Sequence, residues 1–317
     1  MQSISVVIPV RNEVSKIRAC IDGILSQSVP VKEIIVVDSG STDGTLEILR
    51  EYNKVKIVEI PGDQFNHGET RNVGVSHATG DFCLLTVGDA RPVDNQWIEK
   101  LLSGFDHSQV AGVCGQQVVP HEKDKNPIQW FRPVSEAQVF KYTFTPEQFE
   151  KLSPQKKRSV CGWDDVTALY RTEILKKIPF QRTTFAEDAL WAKDALLAGY
   201  TIVYNTNARV YHYHFEDADF TFKRSFTVFY HFYKFFNYHP PKEGLSFVDS
   251  LKLVKALITE KGISWSDKVK WWKYNIDVNK AALQASLLFN ETMQKGDSKL
   301  DEVHQQLCGK APIPKKN

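Results

Sequence analysis

Short apolar runs and helix-spaced stripes alternate from the start of the chain. Ile4-Ser5-Val6-Val7-Ile8-Pro9-Val10 is a β-branched run that reads as a buried strand. Val14, Ile17, Ile21 and Ile24 follow at helical spacing. Glu33 to Asp38 gives a second strand that ends in an acid, and Thr45 to Tyr52 another helix. Val55 to Ile60 makes a third strand, Arg71 to Ala78 a short helix, and Phe82 to Thr86 a fourth strand. This alternation predicts an α/β domain with a largely parallel sheet. Ligands in such sheets collect at the carboxyl ends of strands, where Asp38 and Asp89 both lie.

Val110 to Val119 is a further strand. Pro120 to Ser159 reads as irregular, with Pro120, Pro127, Pro133, Pro146 and Pro154 and the basic patch Lys156-Lys157-Arg158. A loop of that length is expected to be a functional lid or a disordered segment. Gly162-Trp163-Asp164-Asp165 precedes another strand-like run. Thr184 to Ala198 predicts a helix with Gly199 just past its end. Thr201 to Tyr204 and Ala208 to His212 are two short strands that close the α/β portion. The expected domains are therefore residues 1–215, with a nucleotide-binding half over about 1–92 and an acceptor half over about 93–215, and a helical region over 216–317.

That last region changes character. Phe222, Phe226, Phe229, Tyr233 and Phe236 form one helical stripe, with more aromatic residues around it. The stripe fits a helix buried against the preceding domain, an interfacial membrane helix or an acceptor-binding wall. Lys252 to Leu288 reads as further helix, with Trp265, Trp271 and Trp272 beside several lysines.

Composition narrows the class. The 317 residues are 42% hydrophobic, enough for a substantial core and too apolar for a disordered chain. The net charge of +2 gives no reason to expect nucleic acid as a partner. Residues 218–317 nevertheless carry 16 Lys/Arg against 10 Asp/Glu, a bias that a solvated face or an anionic surface would explain. Five separated cysteines without a Cys-x-x-Cys pair indicate buried thiols rather than a zinc cluster or disulfide framework. No apolar run approaches the ~20 residues of a membrane span. The first strand begins too early to leave room for a signal peptide. A cytoplasmic location is expected, with any membrane contact peripheral, on the cytoplasmic face and through about residues 216–290.

Several segments carry chemistry together. Val7 to Glu13, Asp38-Ser39-Gly40-Ser41-Thr42-Asp43 and Glu187-Asp188-Ala189-Leu190-Trp191 resemble glycosyltransferase family 2. Phe65-Asn66-His67-Gly68-Glu69-Thr70-Arg71-Asn72, Asp89-Ala90-Arg91-Pro92 and Val210-Tyr211-His212-Tyr213-His214 look most like its bacterial rhamnosyltransferase branch. The resemblance covers roughly residues 4 to 236. It implies a GT-A nucleotide-diphospho-sugar transferase fold, a Rossmann-like mostly parallel sheet flanked by helices, with a helical C-terminal extension. It also implies an inverting hexosyltransferase that moves a sugar from a nucleoside-diphosphate donor, dTDP-rhamnose or a UDP-hexose, to a glycan or lipid-linked acceptor in cell-surface polysaccharide synthesis.

The resemblance assigns roles by position. Pro9 and Arg11 begin a loop around the nucleotide. Asp38 would face the base or ribose, or else cap its own turn. Arg71, read as opening a helix, would hold the diphosphate, or form a structural salt bridge. Asn66 and His67 would line the same cleft. Asp89 occupies the position where the family commonly presents two acids, and here Val87-Gly88 stand before it. One carboxylate can still hold Mg²⁺ or Mn²⁺, with His212 as a further ligand and His214 as the second candidate. Asp188 would be the catalytic base. Trp191, on its side of the helix, would pack against an acceptor sugar. Trp163, Asp164 and Asp165 would contact sugar hydroxyls, and Glu187 joins Trp191, Trp163 and Asp164 on the acceptor side although it points away from the face of Asp188. The rival readings are a nucleotide-sugar-binding protein with decayed catalysis and a nucleotidyltransferase, although the latter's Gly-rich phosphate loop is absent. The lack of Gly-x-Gly-x-x-Gly after the first strand argues against a dinucleotide-binding dehydrogenase.

Overall fold

A computed structural model describes residues 2–122, 124–130, 136–244 and 247–308. In chain order its elements are β1 (Ile4–Val10), α1 (Ile17–Leu25), β2 (Glu33–Asp38), α2 (Thr45–Leu49), β3 (Val55–Glu59), α3 (His67–His77), β4 (Phe82–Leu85), β5 (Arg91–Pro92), α4 (Trp97–Leu102) and β6 (Val110–Val118). They continue with α5 (Pro127–Trp130), β7 (Val139–Tyr142), α6 (Pro146–Glu150), α7 (Pro154–Val160), β8 (Ala168–Arg171), α8 (Thr172–Lys177), α9 (Glu187–Leu197) and β9 (Thr201–Tyr211). Among the described residues four more helices follow: α10 (Ala218–Phe236), α11 (Phe247–Thr259), α12 (Trp265–Met293) and α13 (Asp297–Cys308).

The chain divides into two compact units, Met1–Val118 with Glu136–His212 and Val119–Ser135 with Tyr213–Asn317. The first holds the sheet, in the order β3-β2-β1-β4-β8-β6-β9-β5, with β7 on β9. Strands β1 to β4 pair in parallel, as their near-continuous apolar runs require when both faces are covered. β8 runs antiparallel between β4 and β6, while β6 and β9 are parallel. Apolar α1 residues Ile17, Cys20, Ile21 and Ile24 are buried at helical spacing, and they belong to one core cluster with β1, β2 and β4.

Helix α3 lies close on β1 and β2 because Gly74 has no side chain. A Cβ there would stand 2.3 Å from Val7 Cγ1 and 3.1 Å from Val37 Cγ2. Its first turn is fixed by Asn66, whose side chain accepts from the Glu69 N–H. The helix thus starts at His67, four residues before the start expected from the sequence, and Arg71 lies a full turn inside it.

Three other expectations are corrected. The stretch after Pro120 is not irregular throughout. Thr145 and Ser153 cap α6 and α7, with Pro146 and Pro154 in the first turn, and β7 joins the sheet; Pro133 lies outside the described residues. The two short strands after Gly199 are one strand, β9, made continuous by irregular pairing with β6 around Cys114/Gln116. The region after Lys252 is two helices, α11 and α12, with Ser264 capping the second.

The second unit has its own core. Phe226 on the aromatic stripe of α10 packs with Ala285, Phe289, Leu300 and Cys308 of α12 and α13, and Phe222, Phe229 and Tyr233 line the same cluster. The stripe is therefore the interior of the helical unit. Leu253, Leu257 and Trp271 form a second cluster between α11 and α12.

His304 sits in that interior, stacked on Tyr230 with ring centroids 3.9 Å apart. Burial, then the nearby His231, pulls its pKa from 6.5 down to about 4. The unfolded chain takes up this proton near 6.5 and the folded chain only near 4. The contribution to stability is therefore complete above about pH 6.5 and falls as the pH drops toward 4. Urea unfolding at about pH 7.5 and about pH 5 should show wild type losing more stability than His304→Phe on acidification. Equal losses in the two proteins would contradict this account.

Candidate active site

The carboxyl ends of β1 and β2 are tied into one cradle. Asn12, with a left-handed φ of 56°, accepts from the Thr42 N–H at 2.9 Å, while its own N–H donates to Ser41 Oγ at 2.9 Å. Asp43 accepts from the N–H groups of Val14 and Thr45, both at 3.0 Å. Asp38, buried at the end of β2, accepts from the N–H groups of Gly40 (2.9 Å) and Ser41 (3.0 Å) and from the Ser41 hydroxyl. Asp38 therefore shapes the turn that forms the cradle. Pro9 is partly buried at the end of β1 and Arg11 is exposed just after it, beside Gly62.

A second group forms where β4 ends. The Asp89 side chain is 5% exposed and both its oxygens meet nitrogen groups: Oδ1 lies 3.3 Å from His212 Nε2, and Oδ2 lies 3.2 Å from Lys16 Nζ. His212 follows β9 and is anchored by its N–H to the Val118 carbonyl at 3.1 Å. Its Nδ1 is 2.6 Å from Gln117 Oε1, and Gln117 Nε2 donates to Asp164 Oδ2 at 2.5 Å. His214 belongs to the second unit. A carboxylate oxygen and an imidazole nitrogen converging within 3.3 Å are a donor set that suits a hard or borderline divalent cation.

The third group surrounds the start of α9. Arg71 is buried, with Nε 3.4 Å from Asp165 Oδ2 and Nη1 donating to Glu187 Oε1. Tyr170 donates its hydroxyl proton to Asp165, and the Trp163 indole N–H donates to the Tyr170 hydroxyl oxygen at 2.6 Å. Burial pushes Asp165 above the usual carboxylate range, against the opposing pull of Arg71. Asp188 is held well above that range by burial, then by Glu187, Asp165 and Asp164, while Arg71 opposes the rise. Asp165 and Glu187 are buried, whereas Asp188 keeps partial exposure. Asp164 links the groups: it bonds Gln117 on one side and acts on the charge of Asp188 on the other.

The motif around Arg71 clamps the segment that leads into α9. Asn66 Nδ2 donates to the Thr183 carbonyl at 2.7 Å, Glu69 pairs with Arg182, and Asn72 exchanges hydrogen bonds of 2.8 and 3.0 Å with Phe180. Ala186, next in line, takes a left-handed φ of 58°, a strained conformation for alanine that turns the chain into Glu187-Asp188.

These placements correct several expectations. Arg71 lies a turn inside α3 rather than at its N-terminus, and its guanidinium is enclosed by two carboxylates, as in the salt-bridge alternative. Asn66 is a helix cap and a tether. Glu187 faces Arg71. Trp191 is fully buried, its indole N–H donating to the Ile178 carbonyl at 3.0 Å. It packs edge to face on Tyr170 (4.5 Å) and against Trp163 (5.4 Å), which is buried too. Both indoles form the floor beneath the acids and have little surface to offer a sugar. Gln117 was missed, although the polar pair Gln116-Gln117 ends an apolar strand much as Asp38 and Asp89 do.

The family model for "Glycosyl transferase family 2" matches residues 5–178. The chain is 30% identical over 215 residues to the O-antigen chain rhamnosyltransferase RfbN of Salmonella typhimurium, covering 67% of this chain and 66% of that protein. It is 32% identical over 187 residues to the O-antigen chain rhamnosyltransferase WbaN of Salmonella anatum, covering 57% and 56%. The match thus spans less than two thirds of the length of either relative. Among solved structures, the mannosyltransferase PcManGT of Pyrobaculum calidifontis in complex with GDP-Man and Mn²⁺ superposes with a TM-score of 0.55 at 16% identity, covering 96% of this chain and 79% of that one. S. aureus TarS 1-349 in complex with UDP-GlcNAc gives 0.53 at 16%, covering 98% and 82%. These likenesses carry the fold, which is the expected GT-A architecture.

The placement of Arg71 generates a kinetic prediction. Arg71→Lys keeps the charge but loses the planar fork, so the start of α9, which carries Asp188, is held less well. We expect kcat to fall at least tenfold with little change in the donor KM, measured by sugar transfer. A donor KM that rises while kcat holds would return Arg71 to the diphosphate. Arg71→Met leaves two buried carboxylates unpaired and should destabilise the fold by about 3–5 kcal/mol.

Proposed function

This chain belongs to glycosyl transferase family 2, and we propose that it transfers one sugar, with inversion, from a nucleoside-diphosphate donor to a glycan acceptor in cell-surface polysaccharide synthesis. The observation that carries this reading is Asp188: a partly exposed carboxylate of raised proton affinity beside the buried Arg71–Asp165–Glu187 cluster, and within electrostatic reach of Asp164, which Gln117 joins by hydrogen bonds to His212. The rhamnosyltransferase relatives favour dTDP-rhamnose as donor, with a UDP-hexose as the other option.

In this reading Asp188 accepts the proton of the acceptor hydroxyl as that oxygen attacks the anomeric carbon. The bond from the anomeric carbon to the diphosphate oxygen breaks in the same step, and its electron pair leaves with the nucleoside diphosphate. The raised proton affinity of Asp188 makes it a stronger base than an ordinary aspartate. Asp89 and His212 are the residues that would hold Mg²⁺ or Mn²⁺, which when bound neutralises charge on the leaving diphosphate. The Asp38–Asp43 cradle, with Pro9 and Arg11, is proposed to seat the nucleotide.

The second unit offers a membrane-facing role. Among the described residues no helix is long and apolar enough to cross a membrane. Trp265 (69% exposed), Val269 (62%) and Trp272 (46%) nevertheless share one exposed face of α12, and Lys268 lies over the Trp265 ring at 4.9 Å. Tryptophan beside lysine suits the interface of an anionic bilayer. We place the enzyme on the cytoplasmic face of the membrane, where a lipid-linked acceptor would be met.

Three results would test these assignments. Asp188→Asn should lower kcat by about 10²–10⁴ while the thermal shift given by the preferred nucleotide sugar is kept. Wild-type turnover in that variant would remove Asp188 from the chemistry. The base works only when ionised, so kcat/KM should fall with decreasing pH through an apparent pKa above that of an ordinary aspartate. Arg71 opposes the rise, so Arg71→Lys should move that limb little. A limb at the ordinary carboxylate position would contradict the burial argument. Finally, Trp265→Ser/Trp272→Ser should lose co-sedimentation with vesicles containing phosphatidylglycerol while remaining folded. Unchanged sedimentation would remove the membrane role from α12.

A further inference from the structure

We infer that Gln117 is a positioning residue for divalent-cation binding: with Asp164 it fixes which ring nitrogen of His212 carries the proton. The inference rests on the reading of Asp89 and His212 as the pair that holds the cation.

The argument follows from what each group can donate. An ionised carboxylate only accepts hydrogen bonds. Asp164 Oδ2 lies 2.5 Å from the Gln117 side-chain amide, so the group facing it must be the NH₂. The reverse orientation would set two oxygens against each other at that distance. Asp164 cannot readily turn away, because its other oxygen accepts the Val166 N–H at 3.0 Å. With the NH₂ so directed, Gln117 Oε1 is left facing His212 Nδ1 at 2.6 Å, and an amide oxygen there requires the proton to be on Nδ1. In the neutral ring the Nε2 lone pair then points to the side where Asp89 Oδ1 lies, 3.3 Å away. Nitrogen and oxygen lone pairs directed at the same point favour a cation between them.

The backbone keeps this chain in register. Gln117 and Val118 pair with Val210 and Tyr211 in the β6–β9 ladder, and the His212 N–H donates to the Val118 carbonyl. The ring and the amide that orients it therefore stand on adjacent strands of one sheet. Groups that orient a metal-binding imidazole through its other nitrogen typically change metal affinity by about 10–100-fold.

Two measurements on the full chain test the inference. Mn²⁺ titration followed by the EPR signal of the free ion should give a dissociation constant that rises about 10–100-fold in Gln117→Leu. It should recover at least partly in the double variant Gln117→Glu/Asp164→Asn, where the new amide can donate to one Glu oxygen and the other oxygen can again accept from Nδ1–H. Thermal unfolding without added metal separates this effect from a loss of fold, and Asp164→Asn, which frees the Gln117 amide to rotate, serves if Gln117→Leu does not fold. In parallel, ¹⁵N histidine NMR of the metal-free protein, at a pH where the ring is neutral, should show His212 as the Nδ1–H tautomer. An Nε2–H tautomer, or equal Mn²⁺ affinity in wild type, Gln117→Leu and Asp164→Asn, would overturn the role of Gln117. If wild type itself does not bind Mn²⁺ while His212 is the Nδ1–H tautomer, it is the cation reading of Asp89 and His212 that fails.

Discussion

The site depends on one buried guanidinium. Arg71 is enclosed by Asp165 and Glu187, three charged groups with little access to water. Such a cluster is a poor source of net stability, because desolvation offsets much of the attraction. Its value is directional. Asp165 is held from below by Tyr170 and Trp163, and Glu187 is the first residue of α9, so the guanidinium links the floor of the site to the helix that carries Asp188. Loss of that link would release the helix start where the chain is already strained at Ala186.

Secondary structure is arranged around this link. Gly74 lets α3 press onto β1 and β2, which brings Arg71 to the depth of Asp165. Asn66, Glu69 and Asn72 repeat on the exposed side of α3 what Arg71 does inside, each tied to the segment before α9. The aromatic floor of Trp163, Tyr170 and Trp191 supports Asp165, while burial, then the charges of Glu187, Asp165 and Asp164, raises the proton affinity of Asp188.

Much of this was legible in the sequence, and what was not has identifiable causes. The β-branched runs of β1 and β2 and the acids that end β2 and follow β4 mark the sheet edge, because strand periodicity and chain direction decide where a terminal carboxylate lies. Apolar periodicity alone starts this helix at Arg71; the cap, Asn66 with Glu69 three residues on, is the signal that marks its start at His67. Without that signal Arg71 falls at a dipole end, when it lies a turn deeper. Proline was read as a breaker at Pro146 and Pro154, where it occupies a first helical turn behind a Thr or Ser cap. Trp191 reads as an acceptor contact because helical spacing shows which residues share a side but not which side is inside. Gln117 was missed because its role depends on strand β9, which is remote in sequence.

The central claim is that Asp188 drives a single displacement at the anomeric carbon of a nucleoside-diphosphate sugar. The most direct measurement is the anomeric configuration of the transferred sugar, read by NMR from the couplings at its anomeric carbon and compared with the donor. The account predicts inversion. A product that retains the donor configuration would require two displacements or front-face attack, and would contradict the assignment of Asp188 as the base of a one-step transfer.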